Sequence, residues 1–203
     1  VGGGMLRSAG RGVGPRPVRN RATIGGNVMR AYPWSDLPIP LLALGARFEL
    51  LVVGGTTRTL SADELLAAQP RLALRGGELL ASISVPTDGE GEGGAFIKLA
   101  ATAVEHALAS VAVRVRLEGD GCVEARVVAG ALSALPQRLT AVEEALVGGP
   151  VDDESIASAA AEARSAHVAR DRRAPEEYRR EMASVLTHRA LITAVEGARG
   201  GAS

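Results

Sequence analysis

An α+β fold in two units is predicted by three features of the 203-residue sequence. Several short runs alternate apolar and polar residues, the period of half-buried strands, and glycine-rich turn signals separate them. The last third instead carries longer runs with helical start and stop signals, so strands precede helices in the second unit. A glycine- and acid-rich stretch, 87–94, is the expected linker, which places the units at 1–88 and 89–203.

Residues 1–21 are rich in Gly, Arg and Pro with little periodicity and read as a loop or an arm. Gly25-Gly26-Asn27 reads as a turn, because Gly and Asn tolerate positive φ. Ser35 or Asp36 offers an N-cap, with Pro38 early in the helix it starts. Pro40 keeps that helix short, Leu41, Leu42 and Leu44 give it an apolar face, and Gly45 is its expected stop. Residues 47–53 and 56–60 read as strands joined at Gly54-Gly55. Ser61 and Glu64 have capping-box spacing for a short helix ending at Ala67 or Ala68. Residues 78–85 read as another strand, ended by Pro86.

In the second unit, 95–100, 110–117 and 122–131 read as three strands, the last two joined through Gly119-Asp120-Gly121 as a tight hairpin. Residues 139–146, 153–168 and 175–195 read as helices. Pro175 suits a first helical turn, and Glu176 and Glu177 favour its positive dipole end.

Composition narrows the chemistry. With 46% apolar residues the chain can build a core, and no apolar run is long enough to span a bilayer. The formal net charge of zero argues against general attraction to nucleic acid, despite Arg7, Arg11, Arg16, Arg19 and Arg21 near the start, and no aromatics interleave with them. A single cysteine, Cys122, excludes an iron–sulfur cluster or disulfide framework held by this chain alone and fits a cytoplasmic location. The N-terminal stretch has no apolar segment of signal-peptide form. His106, His167 and His188 are too scattered for a metal site, and no nucleophile-elbow pattern occurs, so neither a metal nor a catalytic side chain is expected.

Three features can carry binding chemistry, each beside a plainer reading. Gly25-Gly26, flanked by Thr23 and Asn27, would let backbone N–H groups approach a bulky phosphate closely, or would be a simple turn. Asp36 could accept hydrogen bonds from ribose or ribityl hydroxyls, or only cap a helix. Lys98, the only lysine, could pair with phosphate or with the negative charge of a reduced flavin, or be a solvated residue on a strand edge. Tyr32 and Trp34 could stack on a cofactor ring or anchor the loop.

The order of these pieces is more specific than any one. The run Val18 to Asn27, then Trp34-Ser35-Asp36-Leu37-Pro38, Leu41 to Ala46, Gly77-Glu78-Leu79-Leu80, Ala95-Phe96-Ile97-Lys98 and a tail containing Glu177-Tyr178-Arg179-Arg180 resembles the FAD-binding medium subunits of the molybdenum hydroxylases, of the carbon monoxide dehydrogenase and xanthine dehydrogenase type. The resemblance covers residues 18–194. It implies a second α/β lobe of a flavin-binding domain, then a small antiparallel three-stranded sheet with a helical C-terminal region. It implies FAD as cofactor. Thr23, Ile24, Gly25, Gly26 and Asn27 match the loop at the FAD phosphates, Asp36 an acidic residue on the cofactor's polar chain, Leu80 an apolar residue near the isoalloxazine, and Lys98 a basic residue near the flavin. It further implies electron transfer, with a molybdenum-cofactor subunit and an iron–sulfur subunit as partners. Three departures accompany it. The family's earlier glycine-rich FAD loop has no counterpart here. Ala100, Ala101 and Thr102 stand where arginines often follow the lysine. Trp34 stands where small residues are common, so crowding is expected there. The rival expectation is a truncated, non-catalytic fragment serving as an assembly or interaction module.

Overall fold

The computed structural model describes residues 2–66, 68–102 and 104–200. Two antiparallel sheets organise it. The first has strand order β2-β1-β3, from β1 (Arg47–Val52), β2 (Thr57–Ser61) and β3 (Glu78–Ser84). The second has order β4-β5-β6-β7, from β4 (Glu92–Leu99), β5 (Ala109–Glu118), β6 (Gly121–Gly130) and the two-residue β7 (Gln137–Arg138), which adds a fourth strand to the three expected. Short helices precede and interrupt the first sheet: α1 (Met5–Gly12), α2 (Arg16–Arg19), α3 (Ile24–Arg30), α4 (Pro38–Ala43), α5 (Ala62–Leu66) and α6 (Pro70–Ala73). The helical tail comprises α7 (Thr140–Leu146), α8 (Asp153–Glu162) and α9 (Glu176–Gly200).

The second sheet is covered on both faces, and β5 shows why. Val111, Val113, Val115 and Leu117 point into a core with Ala183, Ala190, Leu191 and Ala194 of α9. Ala112, on the opposite face, joins Val128 in a second core with Met5, Ile39, Leu41, Leu44 and Phe48. Farther along, that outer face turns polar at Arg114 and Arg116, which are only partly buried and pair with Glu92 and Glu118. The period of two therefore survives, with both faces apolar only where both are buried.

Several turn signals behave as their chemistry dictates. Ser61 N–H donates to Glu64 Oε2 at 2.7 Å and Glu64 N–H to Ser61 Oγ at 3.2 Å, the expected reciprocal cap. Of the two ends expected for this helix, Ala67 lies outside the described residues and Ala68 is no longer helical. Gly45, at φ +65, stops α4, and the Ala46 N–H returns to the Leu41 carbonyl at 3.0 Å. Asp152 and Ser155 form a further capping box at α8, which ends at Glu162, short of the predicted 168.

Three sequence expectations are corrected. Residues 2–21 are not an arm: Gly2–Gly4 forms a 3₁₀ turn and α1 follows, with Met5 and Ala9 buried at i and i+4 and Arg7 and Arg11 outward. A two-residue apolar stripe is too thin to register among so many glycines and arginines. The linker is shorter than 87–94, because Glu92, Gly93 and Gly94 already pair with Arg116, Val115 and Arg114 in β4. Gly25-Gly26-Asn27 is helix, not turn, as described below.

Arg58 on β2 holds the start of β3 through both oxygens of Glu78, at 2.8 and 2.6 Å, and the Arg75 N–H adds a third bond to that carboxylate. These bonds hold the Glu78 carboxyl down at about 2 against an ordinary 4.5. The stability they contribute is complete above about 4.5 and is lost as pH falls through about 2. Glu78→Gln is therefore expected to lower the denaturant midpoint at neutral pH, and the gap from wild type should close below pH 4.5. A gap constant across that range would show that the carboxylate does not hold this strand.

Candidate functional site

The site is assembled from three segments. Thr23 caps α3, its hydroxyl accepting from the Gly26 N–H at 3.0 Å. Gly25 and Gly26 thus lie in a helical first turn with negative φ, not in a left-handed turn. A Cβ on Gly26 would come within 2.9 Å of the Thr23 hydroxyl, and one on Gly25 would rest 3.6 Å from Leu80 Cδ2. Thr23, Ile24 and Gly26 are exposed, and first-turn N–H groups of Ile24 and Gly25 have no intrahelical acceptor. Leu80 on β3 is half-buried against this turn. Gly25 thus faces Leu80, with Thr23, Ile24 and Gly26 exposed around it.

Asn27 links this surface to the next segment, its Oδ1 accepting from the Leu37 N–H at 3.4 Å. Asp36 precedes Leu37, and here the helix-cap reading fails. Leu37 is the N-cap of α4, with no side-chain cap, and Asp36 is only 4% exposed. Its Oδ2 instead accepts from Lys98 Nζ at 2.9 Å, while its Oδ1 is buried without a hydrogen-bond partner. Burial raises the Asp36 carboxyl above its ordinary value, opposed by the hydrogen bond and charge of Lys98 and by the charge of His106.

Lys98 on β4 comes from the other unit. It is not the solvated edge lysine of the plainer reading: its side chain is 12% exposed, and it also donates to the Gly12 carbonyl at 3.0 Å. β4 is an edge strand, but α1 lies against it and closes over the lysine. A cleft of about 330 Å3 opens beside the ammonium, lined by Ser8, Gly12, Phe96, Ala100, Ala101 and Thr102.

The sequence-predicted residues thus form one continuous path, Leu80 to Gly25, Asn27 to Leu37, Asp36 to Lys98. Gly12 and His106 belong to it and were not singled out as binding residues. A lone glycine in a glycine-rich stretch carries no signal, and His106 gave only the reading of a surface or packing residue. The Trp34 ring stacks on Tyr32, centres 5.2 Å apart, and lies tilted against His106 at 4.8 Å. Cys122 is buried in the core that the second sheet shares with α9, its thiol pushed up by burial. Among the described residues, no group of three His, Cys, Asp or Glu is placed to hold a metal, and no helix is long and apolar enough to cross a membrane.

The residues fit a dinucleotide. A buried carboxylate oxygen lacking a donor suits a sugar or ribityl hydroxyl, and the open glycine turn suits close backbone approach by phosphate.

Comparison with known proteins bears on the same residues. A family described as "FAD binding domain in molybdopterin dehydrogenase" matches residues 5–88, and one described as "CO dehydrogenase flavoprotein C-terminal domain" matches residues 95–194. The chain is 32% identical over 188 residues to the glyceraldehyde dehydrogenase medium chain of Sulfolobus acidocaldarius, covering 92% of this chain and 66% of that one. It is 34% identical over 176 residues to the carbon monoxide dehydrogenase medium chain of Afipia carboxidovorans, covering 86% and 60%. It superposes on a chain of the reconstituted CO dehydrogenase from Oligotropha carboxidovorans with a TM-score of 0.86 and 30% identity, covering 95% of this chain and 68% of that one. The chain thus spans 60% and 66% of the lengths of these two curated relatives.

Proposed function

This chain belongs to the FAD-binding medium subunits of the molybdenum hydroxylase family, and on that premise we propose that it holds FAD and passes electrons through it. The carrying observation is the buried Asp36–Lys98 pair, drawn from both units, with one carboxylate oxygen left for a ligand hydroxyl. In this reading the first turn of α3, Thr23 to Asn27, faces the phosphates through its backbone N–H groups. Asp36 orients the polar chain of the cofactor. Leu80 gives the isoalloxazine an apolar wall. Lys98 sets positive charge near it, favouring the reduced, anionic form. When bound, FAD supplies the redox chemistry itself, accepting electrons and handing them on. Partners in this proposal are a molybdenum-cofactor subunit that oxidises substrate and an iron–sulfur subunit that relays the electrons, in the cytoplasm. Residues 1–88 form the lobe that contacts FAD and 89–203 the C-terminal flavoprotein domain.

The test is flavin content. The complex purified with this chain in full stoichiometry is expected to carry flavin in equal amount, read by absorbance after extraction. A complex without flavin overturns the proposal.

A second reading, an assembly or interaction module that binds no flavin, draws on a different observation. Leu51 and Leu79 are direct cross-strand partners on the outer face of the first sheet, with Val53 two residues on, and Leu79 and Val53 are 66% and 82% exposed. The same flavin measurement decides between the two.

A further inference from the structure

Arg179 of α9 is 2% exposed and, among the described residues, forms no ion pair with a carboxylate. Its guanidinium donates to three backbone carbonyls on three separate segments: Nε to Leu108 at 2.9 Å, Nη1 to Ala169 at 2.7 Å, and Nη2 to Ala131. A buried charge of this kind is tolerable only because its planar fork finds an acceptor at each position.

Each of the three segments bears on residues 32–36. Ala131, held at φ +61, donates its own N–H to the Pro33 carbonyl at 3.1 Å. His106, two residues before Leu108, lies tilted against the Trp34 ring, centres 4.8 Å apart. Arg173, four residues after Ala169, lies 5.9 Å from the centre of the Trp34 ring and donates to the His106 carbonyl at 3.4 Å. The three arms therefore meet on Pro33 and Trp34, next to Asp36, and one guanidinium fixes the far end of all three. We propose that Arg179 is a positioning residue for the flavin site: it sets the placement of Asp36 from the C-terminal helix without touching the ligand. The proposal rests on the reading of Asp36 as a flavin residue.

The proposal predicts a graded effect. Arg179→Met removes all three anchors. Arg179→Lys keeps the charge but cannot serve three divergent carbonyls. FAD affinity of the full chain in its complex is expected to fall about tenfold in Arg179→Met and by less in Arg179→Lys. Trp34 is the only tryptophan of the sequence, so its emission reports the loop directly in the purified full chain. Acrylamide quenching of Trp34 is expected to rise in the same order. Glu143→Gln supplies the contrast. Glu143 is also buried in the C-terminal domain, where it accepts from the Val127 N–H and from Arg138. Its loss should lower thermal stability while Trp34 quenching and flavin affinity hold.

If Arg179→Met does not fold, Arg179→Lys decides. Folded Arg179 variants with wild-type Trp34 quenching and wild-type flavin affinity overturn the proposal. If the wild-type complex binds no flavin while Trp34 still loosens in the variants, the flavin reading fails and Arg179 remains the anchor of the loop.

Discussion

Lys98→Met lowers the stability of the folded chain by about 3–5 kcal/mol, and adding Asp36→Leu restores most of the loss. The pair joins the two units, 12% and 6% exposed at its side chains. Removing the ammonium leaves Asp36 ionised in the interior with neither oxygen bonded, since Oδ1 has no donor already. Removing both partners replaces a desolvated ion pair by apolar packing, often nearly neutral. The pH dependence separates this from a packing defect. The Asp36 carboxyl is raised in the folded state, and losing Lys98 raises it further. The cost of the buried charge is full above that raised value and is relieved as pH falls toward the ordinary 3.8. The urea midpoint of Lys98→Met should therefore approach that of wild type as the solution is acidified. A loss below about 1 kcal/mol, unchanged with pH, would mean that the pair behaves as a surface ion pair.

Gly93→Ala is expected to cost about 3 kcal/mol or more. α9 crosses β4 so closely that a Cβ at Gly93 would collide with the carbonyl of Ala194 and the amide nitrogen of Ala198. Both obstacles are backbone of a long helix, so no rotamer change relieves them. Gly89, four residues earlier in the same glycine-rich run, is the control. A Cβ there would meet only side-chain atoms of Glu92, at 3.7 Å or beyond, and Gly89→Ala should stay within about 0.5 kcal/mol of wild type. Equal midpoints for the two variants in urea denaturation would refute the close crossing.

These two positions mark where the sequence was legible and where it was not. Strand alternation in 110–117, the hairpin at Gly119-Asp120 and the Ser61–Glu64 box are local signals, and the fold follows them. Gly93 and Gly94 read as linker because their need for space comes from α9 and from the 3₁₀ turn at Gly2–Gly4, about a hundred residues away in each direction or nearly so. Asp36 has the spacing of a helix cap, and only the arrival of Lys98 from β4 gives it another role. Gly25-Gly26 has the composition of a turn, but Thr23 supplies a cap that makes helix available to both glycines. Local chemistry set the elements. The pairing of distant backbone and charge, which no window of the sequence contains, set the site.

The burial of Lys98 has a consequence for labelling. It is the chain's only lysine, so the molecule offers amine-directed reagents a single side-chain target, and that target is 12% exposed beneath α1 and tied to Asp36. Acylation at this amine cannot proceed without breaking the bonds to Asp36 and Gly12. Its rate, followed by mapping the modified peptide so that the α-amino group is counted apart, thus reports how often the Asp36–Lys98 contact opens, with no competing lysine side chain to blur the count.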